Sequence, residues 1–257
     1  ITTLLQAQKD AAWGEVARRL AHEIKNPLTP IQLSAERMRR KFLGSMSEKD
    51  AQVLERATHT IVQQVEAMKG MVNAFSEYAR APQLVLEPFD LNVLVSEVAE
   101  LYRAGDRHVQ LELALDAGIG SIEADRGRLR QILSNLVKNA LEALEGTPEP
   151  RVRVATTPGE LHGQPVVQLE VADNGPGFQR ELMGQVFDPY VTSKPKGTGL
   201  GLAIVKKIVE EHGGRIEVHN APEGGARVLV TLPLNDRARA NLGVRETRKS
   251  EPRRERA

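Results

Sequence analysis

The sequence predicts an α+β protein in two parts, a helical hairpin followed by an α/β sandwich. Two long segments near the start repeat apolar residues at steps of three and four. A proline-bearing stretch ends that texture, and beyond it short β-rich runs interleave with helical ones.

In the first segment Trp13, Val16, Leu20, Ile24, Leu28, Ile31, Ala35, Met38 and Phe42 share one helix face, and Gly44 with Ser45 ends it. Ser47 with Asp50 marks the start of a second helix. Its stripe runs through Leu54, Ile61, Val65, Met68, Val72 and Phe75 and stops before Pro82. So short a connection makes the two helices antiparallel, and a lone hairpin leaves its apolar stripe half covered. Pairing with a second copy into a homodimeric four-helix bundle is therefore expected.

The expected organisation is a hairpin over residues 1–80, a linker over 81–88, a second domain over 89–235 and a charged tail over 236–257. In the second domain helices are expected at Leu91–Ala104, Asp125–Glu145 and Leu200–Glu211. Strands are expected at Val109–Leu115, Arg151–Thr157, Val166–Ala172, Arg215–His219 and Arg227–Leu232, in a mixed sheet.

Of the 257 residues 40% are hydrophobic and 4% aromatic, a balance that suits helices rich in Leu, Val and Ala. The net charge of +1 gives no case for nucleic acid as a direct partner. It is unevenly spread: Asp236–Ala257 holds 8 basic and 4 acidic residues, and such a segment is expected to be disordered. The absence of cysteine excludes disulfides and thiolate metal sites. No stretch approaches the roughly 18–20 apolar residues that span a bilayer, and no signal peptide is expected within these residues. The chain opens on Ile1 inside a helical pattern, so an upstream part able to carry a membrane anchor is expected.

Four sequence features carry chemistry. His22-Glu23-Ile24-Lys25-Asn26-Pro27-Leu28 lies on the first helix, and His22 falls about 200° around from Leu20, away from the stripe. A solvent-facing imidazole can act as a nucleophile, Glu23 can hold it or take its proton, and Asn26 follows one turn later on the same face. Pro27 and Pro30 deprive the carbonyls of Glu23 and Asn26 of their helical donors, so a kink is expected beside His22. An isolated exposed histidine is ordinarily just a surface residue, as His59 is taken to be; this company sets His22 apart.

The other three suit a phosphorylated ligand. Asn135 and Asn139 stack on one helix face, where amide oxygens suit a Mg²⁺ that keeps most of its waters, and Lys138 adds positive charge. Two asparagines merely solvating a helix are as ordinary an explanation. Asp173-Asn-Gly175-Pro-Gly177 follows a β-rich run; the acid can accept from an exocyclic amine such as adenine's, although DNGPG is also a common turn. Gly197-Thr198-Gly199-Leu200-Gly201 opens a helix, where backbone N–H groups meet anions. It is neither a Walker A loop nor a dinucleotide fingerprint. Between these last two features residues Phe178–Lys196 are long enough for a lid, with Phe187 and Tyr190 as its anchors.

Together these stretches resemble the sensor histidine kinases of two-component systems. HEIKNPL resembles the H-box, NLVKNA the N-box, DNGPGF the G1 box, VFDPYVTSK the F-box and GTGLGLAIV the G2 box, with Gly224-Gly225-Ala226 as the closing glycine motif. They follow the family order over Ala12–Pro233. The resemblance implies a dimeric hairpin domain and a Bergerat-type ATP-binding sandwich. It implies that His22 is phosphorylated, that Glu23 is its acid/base partner, and that Asn26 serves dephosphorylation of the partner. It further implies that Asn139 ligates Mg²⁺, that Asp173 binds adenine, and that Asn135, Lys138, Gly175, Gly177, Lys194, Gly197, Thr198, Gly199, Leu200 and Gly201 complete the ATP site. The acceptor of the phosphate would be a response regulator receiver domain. NALEAL and HEIKNPLTPIQLSAERMRRKF most resemble the nitrogen-regulation branch, membrane-bound sensors of the NtrY type. Related ATPases of the gyrase and Hsp90 kind carry a water-activating Glu where this chain has Asn135, which cannot act as a general base. That departure favours His22 over water as acceptor, against the alternatives of an ATPase machine or a nucleotide-sensing scaffold.

Overall fold

Two helices open the computed structural model, α1 (Thr2–Phe42) and α2 (Glu48–Ala79), joined by the 3-10 turn Leu43–Ser45. The structure describes residues 2–79, 84–105, 108–194 and 197–234, without the side chains of 2–18, 77–79 and 105. The side chains of Trp13 and Val16, residues 81–83 of the expected linker and the charged tail thus lie outside the described residues. Ser47 starts α2 as expected: its hydroxyl accepts the N–H of Asp50 at 3.3 Å and donates to the Asp50 carboxylate at 2.6 Å. Arg39, Arg40 and Lys41 close α1, where cations favour the negative end of the helix dipole.

The hairpin closes on part of the predicted stripe, Leu28, Ala35 and Val65, together with Ala21 and Thr58 outside it. Ala21, Leu28 and Ala35, spaced by sevens, are buried in α1, and Thr58 and Val65 are buried in α2. The Thr58 hydroxyl is satisfied by the Leu54 carbonyl at 2.7 Å. By contrast Ile24, Ile31 and Met38 remain 41, 46 and 40% exposed, with Ile61 and Met68 at 38 and 45%. Two heptad seams therefore run along each helix. One closes the hairpin, and the other, the greater part of the predicted stripe, stays uncovered within one chain. The helix also runs on as one element through Pro27 and Pro30.

The remaining elements are β1 (Glu87–Asp90), α3 (Leu91–Gly105), β2 (Gln110–Leu115), β3 (Ser121–Ala124), α4 (Arg126–Ala143), β4 (Arg151–Leu161), β5 (Gln164–Asp173), α5 (Gly201–Glu211), β6 (Arg215–Asn220) and β7 (Ala226–Pro233). The chain divides into two compact units, Ile1–Leu84 with Phe178–Glu211, and Val85–Gly177 with His212–Ala257.

In the second unit the strands form a five-stranded sheet in the order β2-β4-β5-β7-β6, with β2 parallel to β4 and the other pairs antiparallel. The mixed sheet was legible in the sequence; the separate antiparallel pair β1–β3 was not. Those two strands have four residues each, and one contains Pro88, so neither is long enough for a period to stand out from its surroundings. The turn between β4 and β5 is a two-residue loop, His162-Gly163, with φ of 50° and 75°, the type I′ geometry that matches strand twist. It lets β4 run four residues past its expected end. Leu129, Ile132, Leu133, Leu136, Val137 and Ala140 give α4 one fully buried face. Burying six such side chains fixes the rotation of the helix and so decides which residues its other face presents.

Candidate functional site

The HEIKNPL segment lies on α1. His22, Glu23 and Asn26 are all exposed, beside the buried Ala21 and Leu28. Packing of those two residues rotates the helix so that His22 faces outward. The Glu23 carboxylate accepts from Arg19 Nε at 3.2 Å, one turn back. The Thr29 hydroxyl reaches the Lys25 carbonyl at 3.5 Å, a backbone contact of the kind that bends helices, next to the two prolines.

In the second unit α4 turns Asn135 and Asn139 half-buried and Lys138 exposed, as their spacing requires. Lys138 lies 3.9 Å from Glu142, an exposed pair worth little. Asp173 ends β5, and its Oδ1 accepts from the N–H of Gly175 at 2.9 Å and of Ala226 at 3.3 Å. These donors hold the carboxylate in one orientation. Gly175 is buried, and a Cβ there would stand 3.0 Å from the Ala143 carbonyl, so the loop touches the end of α4. Gly177 is half-buried. The structure thus brings the NLVKNA helix and the DNGPG loop together. Asn174 completes the loop, accepting from Arg151 N at 2.7 Å and donating to the Glu149 carbonyl at 3.0 Å. The sequence did not point to Ala143, because its contribution is the position of its backbone carbonyl, nor to the side-chain bonds of Asn174, which reach residues more than 20 positions away.

Lys194, Gly197, Thr198, Gly199, Leu200 and Gly201 lie in the first unit, before and at the start of α5. Leu200 is buried; its N–H donates to the Thr198 hydroxyl at 3.4 Å, and its carbonyl accepts from Ile204 N at 2.9 Å, which starts α5. The expected lid is partly folded: Arg180–Gln185 form a 3-10 helix, Val186 is buried, and Lys206 Nζ stands 5.8 Å from the Phe187 ring centroid. Phe187 is half-buried, whereas Tyr190 is 64% exposed. Tyr190 acts through its backbone instead. It holds φ of 69°, costly for a non-glycine residue, and its N–H donates to the Gly199 carbonyl at 3.0 Å.

Gly199 makes that closure possible. It has φ of 65°, and a Cβ would lie 2.5 Å from the Tyr190 carbonyl carbon. Gly199→Ala is expected to break the closure and raise protease cleavage between residues 190 and 199 several-fold, leaving Gly184→Ala, where a Cβ meets nothing within 4 Å, at the parent rate. Equal cleavage of both variants would refute this reason for glycine.

The α4 face fits a nucleotide carrying its own metal better than a resident ion. Among the described residues no three His, Cys, Asp or Glu side chains cluster as metal ligands. The amide oxygens of Asn135 and Asn139 suit a Mg²⁺ that takes its other ligands from phosphate and water.

Comparison with known proteins agrees with both halves. Residues 12–84 match the family model described as His Kinase A (phospho-acceptor) domain. Residues 124–236 match that of the histidine kinase-, DNA gyrase B-, and HSP90-like ATPase. In the solved catalytic domain of the histidine kinase ThkA, 33% identical with a TM-score of 0.52, the match covers 60% of this chain and 99% of that one. The chain belongs to the sensor histidine kinases. Within them it is similar to the nitrogen regulation protein NtrY of Azorhizobium caulinodans, 44% identical over 238 residues, which are 90% of this chain and 30% of the relative. It is also similar to ThkA in complex with the response regulator protein TrrA, at 29% identity and a TM-score of 0.62 over 89% of this chain and 64% of that one. The chain spans about a third of the length of the curated relatives it matches. No helix among the described residues is long and apolar enough to cross a membrane.

Proposed function

We propose that this chain transfers the γ-phosphoryl group of ATP to His22 and from there to an aspartate of a response regulator receiver domain. One observation carries the reading: an exposed histidine stands within a phospho-acceptor match on the same chain as an ATPase-type match. The neutral imidazole attacks the γ-phosphorus as the bond to the bridging oxygen of ADP breaks. Glu23 takes the imidazole proton, and Arg19 orients that carboxylate. Mg²⁺ bound with ATP supplies charge neutralisation at the phosphates, and Asn139 would hold it. Asp173 reads the adenine amine. Lys138, Asn135, Gly175, Gly177, Lys194 and the segment Gly197–Gly201 line the nucleotide. The proposed boundaries are residues 1–80 for the acceptor hairpin and 89–235 for the nucleotide-binding domain, joined by 81–88.

The uncovered seam of Ile24, Ile31, Met38, Ile61 and Met68 supports a homodimer, each hairpin covering the other's apolar face. Asn26, one turn from His22, is placed to position water against a phosphorylated receiver, giving a phosphatase activity. Asn26→Ala should then label normally from ATP yet slow the loss of phosphate from the receiver; unchanged loss would remove Asn26 from that role. Similarity to NtrY supports a role in nitrogen signalling, with membrane attachment through an upstream segment.

The test is to incubate the chain with γ-labelled ATP and Mg²⁺ and then present a panel of receiver domains. Acid-labile, base-stable label that moves to one receiver is expected. Steady phosphate release with no labelled chain would make it an ATPase instead.

A further inference from the structure

Three stretches of the second unit meet at Asp125. Its Oδ1 accepts the N–H of Arg128 at 3.0 Å and caps α4. Its Oδ2 accepts the N–H of Val85 at 3.2 Å, and Val85 is the first residue of that unit. Its own N–H donates to His212 Nε2 at 3.2 Å, and His212 directly follows α5. One residue thereby ties the helix that carries Asn135 and Asn139 to the point where the chain arrives from the hairpin.

Capping needs only one oxygen, which Ser, Thr or Asn supplies as well. The second oxygen, spent on Val85, is what a carboxylate adds here. Partial burial pushes the Asp125 carboxyl up, but the N–H donors of Arg128, Val85 and Gly127 and the Arg128 charge leave it below the ordinary value. It is therefore ionised at neutral pH, and both bonds are charge-assisted. The Val85 side chain is 69% exposed and adds little packing of its own. Asn139 lies 14 residues along α4, about 21 Å at the helical rise, so the Asp125–Val85 bond touches no nucleotide held there.

We propose that Asp125 is a positioning residue for phosphoryl transfer: by holding the Val85 backbone it fixes where and in what direction the chain from the hairpin enters the nucleotide-binding domain. The proposal rests on the kinase reading above. It separates two properties that a merely structural residue would move together, the rate of transfer and the affinity for ATP.

The experiment uses the full 257-residue chain with Asp125→Asn, Val85→Pro and the double variant, and with Asp125→Ser as the form that keeps a good cap. In Asp125→Asn the amide oxygen retains the cap and the NH₂ faces another donor; Val85→Pro removes the donor and leaves Asp125 intact. Each single change is expected to slow labelling of His22 at saturating ATP by about tenfold, the effect of one charge-assisted hydrogen bond, with ATP affinity within about twofold. The double variant should be no slower than either single one. Hydrogen exchange at the Val85 amide should speed up in Asp125→Asn and Asp125→Ser while that at Asn139 does not. Loss of ATP affinity in step with the rate, single effects that multiply in the double variant, or unchanged exchange at Val85 would each overturn the proposal. A parent chain that takes no label fails the kinase reading instead. Exchange at Val85, which needs no turnover, still decides whether the anchor exists.

Discussion

Replacing His22 by glutamine is expected to reduce acid-labile label on the chain to background while leaving the fold and ATP binding intact. The position explains why one change can remove all activity without disturbing structure. His22 is exposed on α1, and surface substitutions of that kind usually shift stability by no more than about 0.5 kcal/mol. Glutamine is at least as good a helix former as histidine, so α1 should not loosen. What it lacks is a ring nitrogen with a lone pair able to form a bond to phosphorus. His59 gives the control, since it is equally exposed on α2 but has no carboxylate before or after it in sequence. His59→Gln should label as the parent does. Unaltered thermal unfolding and ATP affinity in His22→Gln would show that only the acceptor is gone. Label persisting at the parent level in His22→Gln would sink the assignment, and label lost in His59→Gln alone would move it to α2.

The motifs were legible because each binds chemistry to spacing along the chain. HEIKNPL places His22 and Asn26 one turn apart, and NLVKNA does the same for Asn135 and Asn139, so both faces follow from 3.6 residues per turn. The helices and the five main strands were legible for the same reason, being long enough to show a period. The hairpin seam was not. Two heptad stripes displaced by three residues, Ala21-Leu28-Ala35 and Ile24-Ile31-Met38, form one broad apolar face, and sequence does not say which half meets α2. The kind of anchor Tyr190 provides was also hidden, because an exposed ring with a positive φ reads in sequence as an aromatic anchor. Asp125 reads in sequence only as the start of a helix. Its second bond, to Val85, spans 40 residues, and no local pattern encodes such a contact.

The closing glycines show the same limit and give the sharpest structural test. Gly225→Ala is expected to destabilise the second unit by about 3 kcal/mol or more and to abolish ATP binding with it. Gly224 and Gly225 both have strongly positive φ, 97° and 94°, so an alanine at either is strained by about 1–3 kcal/mol. They differ in what a side chain would meet. At Gly224 a Cβ comes no nearer than 3.9 Å to the Gly175 carbonyl, an ordinary contact. At Gly225 it would stand 1.9 Å from the Asp173 carbonyl oxygen and 2.8 Å from its carbon. Those are backbone atoms, which no rotamer change can move aside, so either the β6–β7 turn or the end of β5 must shift. A shift there separates Ala226 N–H from the Asp173 carboxylate, which it now holds at 3.3 Å. The residue assigned to the adenine would then lose one of the two backbone donors that orient it. Urea unfolding and ATP titration of the two variants measure both consequences. Gly224→Ala should lose only the cost of its φ and still bind ATP. If the two variants proved equally stable and bound ATP alike, close backbone approach would not be the reason for glycine at 225, and the held orientation of Asp173 would not depend on it.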